Sequence, residues 1–240
     1  MTSSMDRPHP DRVRTSALDF WLARCAIACV AGLQLLVVND FSLGPRWLAP
    51  TLEIALLVPL SVATAWNQGR ARRATTDAHW AEVHRNHRLI RRMALFMTAL
   101  VTLANTTALA ALVHALLNGK AAGGSTLLVD ALNIWGTNVV IFALWFWTTD
   151  RGGAALRGHP SARDPDFLFP QMTLPQQDAT AQFVPGFIDY LFLAFTNATA
   201  FSPTDTLPLT PRAKLLMMAE ALISLLTVAL VAARAVNILA

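Results

Sequence analysis

The sequence predicts an all-α integral membrane protein of about six transmembrane helices, with the N and C termini in the cytoplasm. The first observation behind this is composition. Of 240 residues 54% are hydrophobic and 14% charged, whereas about a quarter of a soluble domain is charged, and the mean hydropathy is +0.43. The second is length: several apolar windows reach the roughly 20 residues that cross a hydrocarbon core of about 30 Å. The third is an uneven distribution of arginine, which sets orientation through the positive-inside rule.

The elements follow in order. Residues 1–16 form a cytoplasmic tail with Arg7, Arg12 and Arg14, and residues 17–148 a four-helix region. Its first span, Ala17 to Val38, carries Asp19 and Arg24 and lacks an A-x-A cleavage site, so it is expected to be retained as a helix. Cys25 and Cys29 lie one turn apart in it and are expected as small buried side chains. Trp47 to Trp66 is the second span. The basic cytoplasmic loop 67–88 follows, with arginines, histidines and apolar residues at helical intervals, so that it can extend the third helix along the membrane surface. Its expected partners are anionic lipid headgroups. His79, His84, His87 and Glu82 do not fit H-E-x-x-H, and no metal is expected there.

The third and fourth spans are Leu89 to Leu117 and Leu127 to Trp147. Trp47, Trp66, Trp145 and Trp147 stand near span ends, where tryptophan favours the interface. The Gly- and Pro-rich cytoplasmic loop 149–182 contains "DFLFPQM", apolar enough to pack on the bundle or lie at the interface. Residues 183–240 form a C-terminal helix pair with spans Phe183 to Phe201 and Ala213 to Leu239. Thirteen basic residues fall on the cytoplasmic side of this layout, against Arg46, Lys120, Arg212 and Lys214 outside. The isoelectric point near 9.8 therefore points to lipid headgroups, and no aromatic-basic platform marks a nucleic-acid binder.

Charged residues inside a span cost roughly 2.5 to 3.5 kcal/mol at the bilayer centre and usually face protein or a wet cavity. Here Glu53, Asp130 with Asn133, and Glu220 with Arg234 are of this kind. Glu220, Ser224, Thr227 and Arg234 share one face of the sixth helix, as do Thr98, Thr102 and Asn105 on the third and Asp130, Asn133 and Thr137 on the fourth. Such stripes are either interhelical hydrogen-bonding glue or the lining of a hydrated pathway.

The stretch "FTNATAFSPTDTLPLTPRAKLL", Phe195 to Leu216, adds hydroxyls and prolines where a span should meet water. Ser202, Pro203, Thr204 and Asp205 suit a turn, or a cation site built of oxygen atoms. Thr210 before Pro211 suits a helix cap followed by a first helical residue.

Phe195, Thr196, Thr199, Asp205, Pro208 and Thr210, with "EAL" at Glu220 to Leu222 and "VAARAV" at Val231 to Val236, resemble the pore-helix, filter and inner-helix pattern of bacterial potassium channels. Ser202 and Thr204 stand where that pattern has its filter glycines, and Pro203 where it has an aromatic residue. The glycine dihedrals are thereby lost, so the resemblance implies a channel-like pair without a potassium-type filter. The layout, with its tail "FIDYLFLAFTNATAFSPTDT", is also similar to a family of bacterial multi-span membrane proteins, a domain of unknown function. That likeness implies the fold and a bacterial inner membrane, multi-pass, and brings no activity.

The expected function is an ion channel-like or transporter-like protein with a degenerate pore motif. Its pore candidates are Thr196, Asn197, Thr199, Ser202, Thr204, Asp205 and Glu220, with a monovalent cation as ligand and a homo-oligomer as an open possibility. The alternative is a structural or partner-binding membrane protein without transport. No G-x-S-x-G, H-E-x-x-H or Cys/His pattern is present, so neither enzyme activity nor a cofactor is expected.

Overall fold

A computed structural model describes residues 17–36, 62, 77–118, 124–153, 164–174, 183–199 and 205–239. The second span at 47–66, apart from Val62, and residues 67–76 of the basic loop lie outside them. The described chain is mostly helical: α1 Ala17–Leu36, α2 Asp77–Leu117, α3 Gly124–Thr149, α4 Phe187–Thr199 and α5 Pro211–Leu239. A two-stranded antiparallel clip joins β1 Phe167–Leu168 to β2 Leu207–Pro208, in the register Phe167 to Pro208 and Leu168 to Leu207. Three helical segments, Arg88–Leu117, Leu127–Gly152 and Pro211–Ala233, are long and apolar enough to cross a membrane.

The helix α3 is the axis of the bundle. Of its apolar span 61% is buried, against 17% for α5, and it packs against α1, α2, α4 and α5. A helix enclosed on every side can be apolar all round, and Ile141, Phe142, Ala143 and Phe146 are all almost wholly buried. The continuous α2, 41 residues long, bears out the expected helical extension of the third span towards its N-terminus. Arg85, Arg88 and Arg92 are exposed there.

Two arginines from distant parts of the chain cap the end of α3. Arg91 Nε donates to Thr148 O at 3.2 Å and Arg212 Nη2 to Thr149 O at 3.3 Å, placing cations on orphan carbonyls at the negative end of the helix dipole. Beyond them the chain reverses through Arg151, Gly152 and Gly153, with φ of 52°, 84° and 108°. A Cβ at Gly153 would meet Thr148 O at 3.1 Å, so the last position suits only glycine.

The sequence layout placed 149–182 and the stretch around Asp205 on opposite sides of the membrane. The clip instead joins these two stretches by backbone hydrogen bonds, which favours placing them on one side. The helix α4 gives the physical reason. It has 13 residues, about 20 Å at roughly 1.5 Å per residue, too short for the span expected over Phe183 to Phe201. Gly186 precedes it as N-cap, and Asp189 Oδ2 accepts the Gly186 N–H at 2.7 Å, the return half of a capping box. Asp19 Oδ1 on α1 accepts the Phe187 N–H at 3.0 Å.

Other expectations resolve individually. Phe167 and Phe169 are buried, so "DFLFPQM" packs on the bundle through edge-on contacts to Phe146 and Tyr190. Trp135 packs, edge-on to Phe195. Trp145 and Trp147 pack within the bundle: Trp145 Nε1 donates to Thr102 Oγ1 at 2.9 Å, and Trp147 is buried against Phe20 and Phe187. Cys25 and Cys29 are exposed on the outer face of α1, which corrects their expected burial.

Candidate functional site

A polar seam runs where α3, α4 and α5 meet. Glu220 lies nine residues into α5, and the helical rise puts it about 14 Å from the start of that helix. Asn197 lies ten residues into α4, at a matching depth of about 15 Å. The two touch: Asn197 Nδ2 donates to Glu220 Oε2 at 2.7 Å and to Met217 O at 3.0 Å. From α3, Asn138 Nδ2 donates to Ser224 Oγ at 2.8 Å and to Glu220 O at 3.2 Å. Glu220 and Asn138 have no exposed surface, and Ser224 and Thr227 almost none. The stripe on α5 therefore faces α3 of the same chain, while Leu215, Met218, Leu222 and Leu225 face outward.

The seam retains unmet hydrogen-bonding capacity. Among the described residues Glu220 Oε1, Asn138 Oδ1 and Thr137 Oγ1 are buried without a hydrogen-bond partner, and buried oxygens of this kind are uncommon in folded proteins. Glu220 has no ion pair among the described residues, where Arg151 pairs with Asp150 and Arg212 with Asp166. No group of three or more His, Cys, Asp or Glu that could hold a metal occurs among the described residues.

The remaining expected residues fall in different places. Asn105 and Thr98 on α2 are buried, and Asn105 Nδ2 reaches Ile134 O at 3.2 Å. The α2 stripe thus meets α3, yet by its own contacts. Asp130 is buried, with Asn133 one turn on and half-buried. Thr196 and Thr199 spend their hydroxyls on the carbonyls of their own helix, as such residues commonly do. Asp205 is exposed at the turn before β2. Glu53, Ser202, Thr204 and the side chain of Arg234 lie outside the described residues, as do the side chains of His79, Glu82, His84 and His87.

Sequence reasoning missed the clip beside the starts of α4 and α5. Asp150, wholly buried, accepts the Tyr190 hydroxyl and the Asp166 N–H, the latter at 2.7 Å. Asp166 accepts the Thr210 hydroxyl and Arg212 Nη2, each at 2.6 Å. The Thr210 oxygen also caps α5 by accepting the Ala213 N–H at 3.2 Å, as its place before Pro211 implied. Asn138 was missed as well, one position beyond the stripe that ends at Thr137. The signal for Asp150 and Asp166 was their place beside apolar runs, "WFWTTD" and "DFLF".

No family model, curated protein or solved structure matches the chain.

Proposed function

We propose that the protein is a bacterial inner-membrane channel-like or transporter-like protein whose permeation unit is α3, α4 and α5. The observation that carries this is the Asn197–Glu220 contact. A half-length helix starts at the clip, reaches about mid-depth, and there touches a buried carboxylate of a full-length helix. Since β2 returns to the clip, α4 is read as a re-entrant helix, and α5 as starting from the same side. This order of full helix, re-entrant helix and full helix agrees with the channel-like pattern of the C-terminal sequence. In membrane proteins backbone at depth that is not a full helix lines a cavity or is buried in protein.

In this topology α1, α2, α3 and α5 cross, alongside the span that the sequence leads one to expect at Trp47 to Trp66, and α4 dips in from the cytoplasm. Arg212 and Lys214 then join the cytoplasmic side, so that fifteen basic residues face two, Arg46 and Lys120. The N terminus stays inside and the C terminus moves outside. The exposed Arg85, Arg88 and Arg92 of α2 lie on the side of anionic lipid headgroups.

Flux of sodium, potassium or rubidium into proteoliposomes tests the reading. Wild-type protein should pass at least one of them, Glu220→Gln should abolish that flux, and Asp205→Asn, at the exposed turn, should reduce it. A folded, inserted wild type that passes none contradicts it. The second reading, a structural bundle without transport, is favoured by the threonines Thr98, Thr102, Thr106 and Thr227, which bond to their own helices, and absence of flux would select it.

A further inference from the structure

We infer that the seam is a binding site for one monovalent metal cation, held between Glu220 Oε1 and Asn138 Oδ1 with Ser224 Oγ beside them. The inference rests on the permeation reading and names what occupies that unit. Three observations carry it. Glu220 and Asn138 are both wholly buried, and each keeps one oxygen without a partner among the described residues. Their other polar atoms are engaged in ways that fix them. Asn197 holds Oε2 of the carboxylate, and the Asn138 amide nitrogen, committed to Ser224 Oγ and Glu220 O, leaves its carbonyl oxygen as an acceptor only. Three elements, α3, α4 and α5, thus fix the Glu220 and Asn138 side chains.

The chemistry of the donors selects the ligand. Carboxylate, amide carbonyl and hydroxyl oxygens suit a hard cation, and among the described residues no thiolate or imidazole in the seam would favour a softer metal. Among the described residues the seam offers a single carboxylate, and burial of a charge requires that it be balanced. One positive charge balances it, whereas a divalent ion would leave an excess. A proton also neutralises Glu220, but it links at most two acceptors at hydrogen-bonding distance, while a metal ion gathers several oxygens around itself.

The test is equilibrium binding to the purified full-length chain in detergent, with no flux involved. Wild type is titrated with sodium, potassium or rubidium chloride against choline chloride at constant ionic strength, and followed by thermal unfolding and by uptake of labelled sodium or rubidium. The expected result is saturable stabilisation by at least one metal cation and not by choline, with about one ion bound per chain. Glu220→Gln should raise the half-saturating concentration by roughly thirtyfold or more, as expected for loss of a buried charge partner. Equal stability in every chloride, as for a merely protonated Glu220, overturns the proposal, as does labelled-ion binding that is nil in the wild type or unchanged in Glu220→Gln. The ion-uptake measurement on wild type decides the matter even where the variant fails to fold. Binding without flux would retain the site and remove the permeation reading; flux without binding would do the reverse.

Discussion

Asp150 is the residue on which the clip turns. It has no exposed surface and accepts hydrogen bonds from Tyr190 and from the Asp166 backbone, with Arg151 Nε at 3.8 Å. Hydrogen bonds to a buried charge are among the stronger ones, and a buried group left unsatisfied costs about 1 to 3 kcal/mol. Tyr190→Phe should therefore lower stability by about 1 to 3 kcal/mol in detergent unfolding. Asp150→Ala should lower it further, since it also strands the Asp166 N–H, and the opposite ranking would contradict this account. Arg212→Gln should cost only about 1 kcal/mol or less, because its side chain is 45% exposed and its ion pair with Asp166 is screened. At this scale Glu220 and Asn197 were legible in the sequence, as polar residues in apolar runs are conspicuous. Asn138 was not. Successive helix positions differ by about 100°, so a stripe drawn through Thr137 passes its neighbour by, and only the packed position of α5 shows which of the two meets Ser224.

Among the elements, the helices wholly or largely over the first, third, fourth and sixth spans were readable from apolar length, and the cap at Thr210 from its local pattern. The length of α4 was not. Phe183 to Phe201 is apolar enough to pass for a span, and what shortens it is the N-cap at Gly186, tied to Asp189, together with the anchoring of Phe187 to Asp19. The clip was equally hidden, because two-residue strands forty positions apart leave no periodicity to read. Its register makes a prediction. Directly opposed antiparallel residues have Cα atoms about 4.5 to 5.5 Å apart, within disulfide range, so Leu168→Cys with Leu207→Cys, in a background lacking Cys25 and Cys29, should form an intrachain disulfide on mild oxidation. Membrane vesicles in which this pair stays reduced, while the protein is folded, would contradict the register. A layout with the two segments on opposite sides of the bilayer forbids the bond altogether.

For the molecule as a whole, the arrangement around α3 is what supports the proposed topology. Arg91, Arg212, the clip and the N termini of α4 and α5 gather at one end, and Asn118 ends α2 about 40 Å of helix away from Arg91. The arginine bias is visible in the sequence, and the proposed re-entrant α4 would move Arg212 to the cytoplasmic side of it. The polar stripe of α5 turned towards α3 also removes the need for a symmetry axis to complete the seam. The central claim, that α4 re-enters and does not cross, is tested most directly by cysteine accessibility. Single cysteines at Asp164, Asp205 and Asn118, all exposed, are introduced into a background lacking the native pair and labelled with a membrane-impermeant maleimide in vesicles of known orientation. The account predicts that positions 164 and 205 label from the cytoplasmic side and 118 from the other. Labelling of 164 and 205 from opposite sides would make α4 a crossing helix and contradict the account.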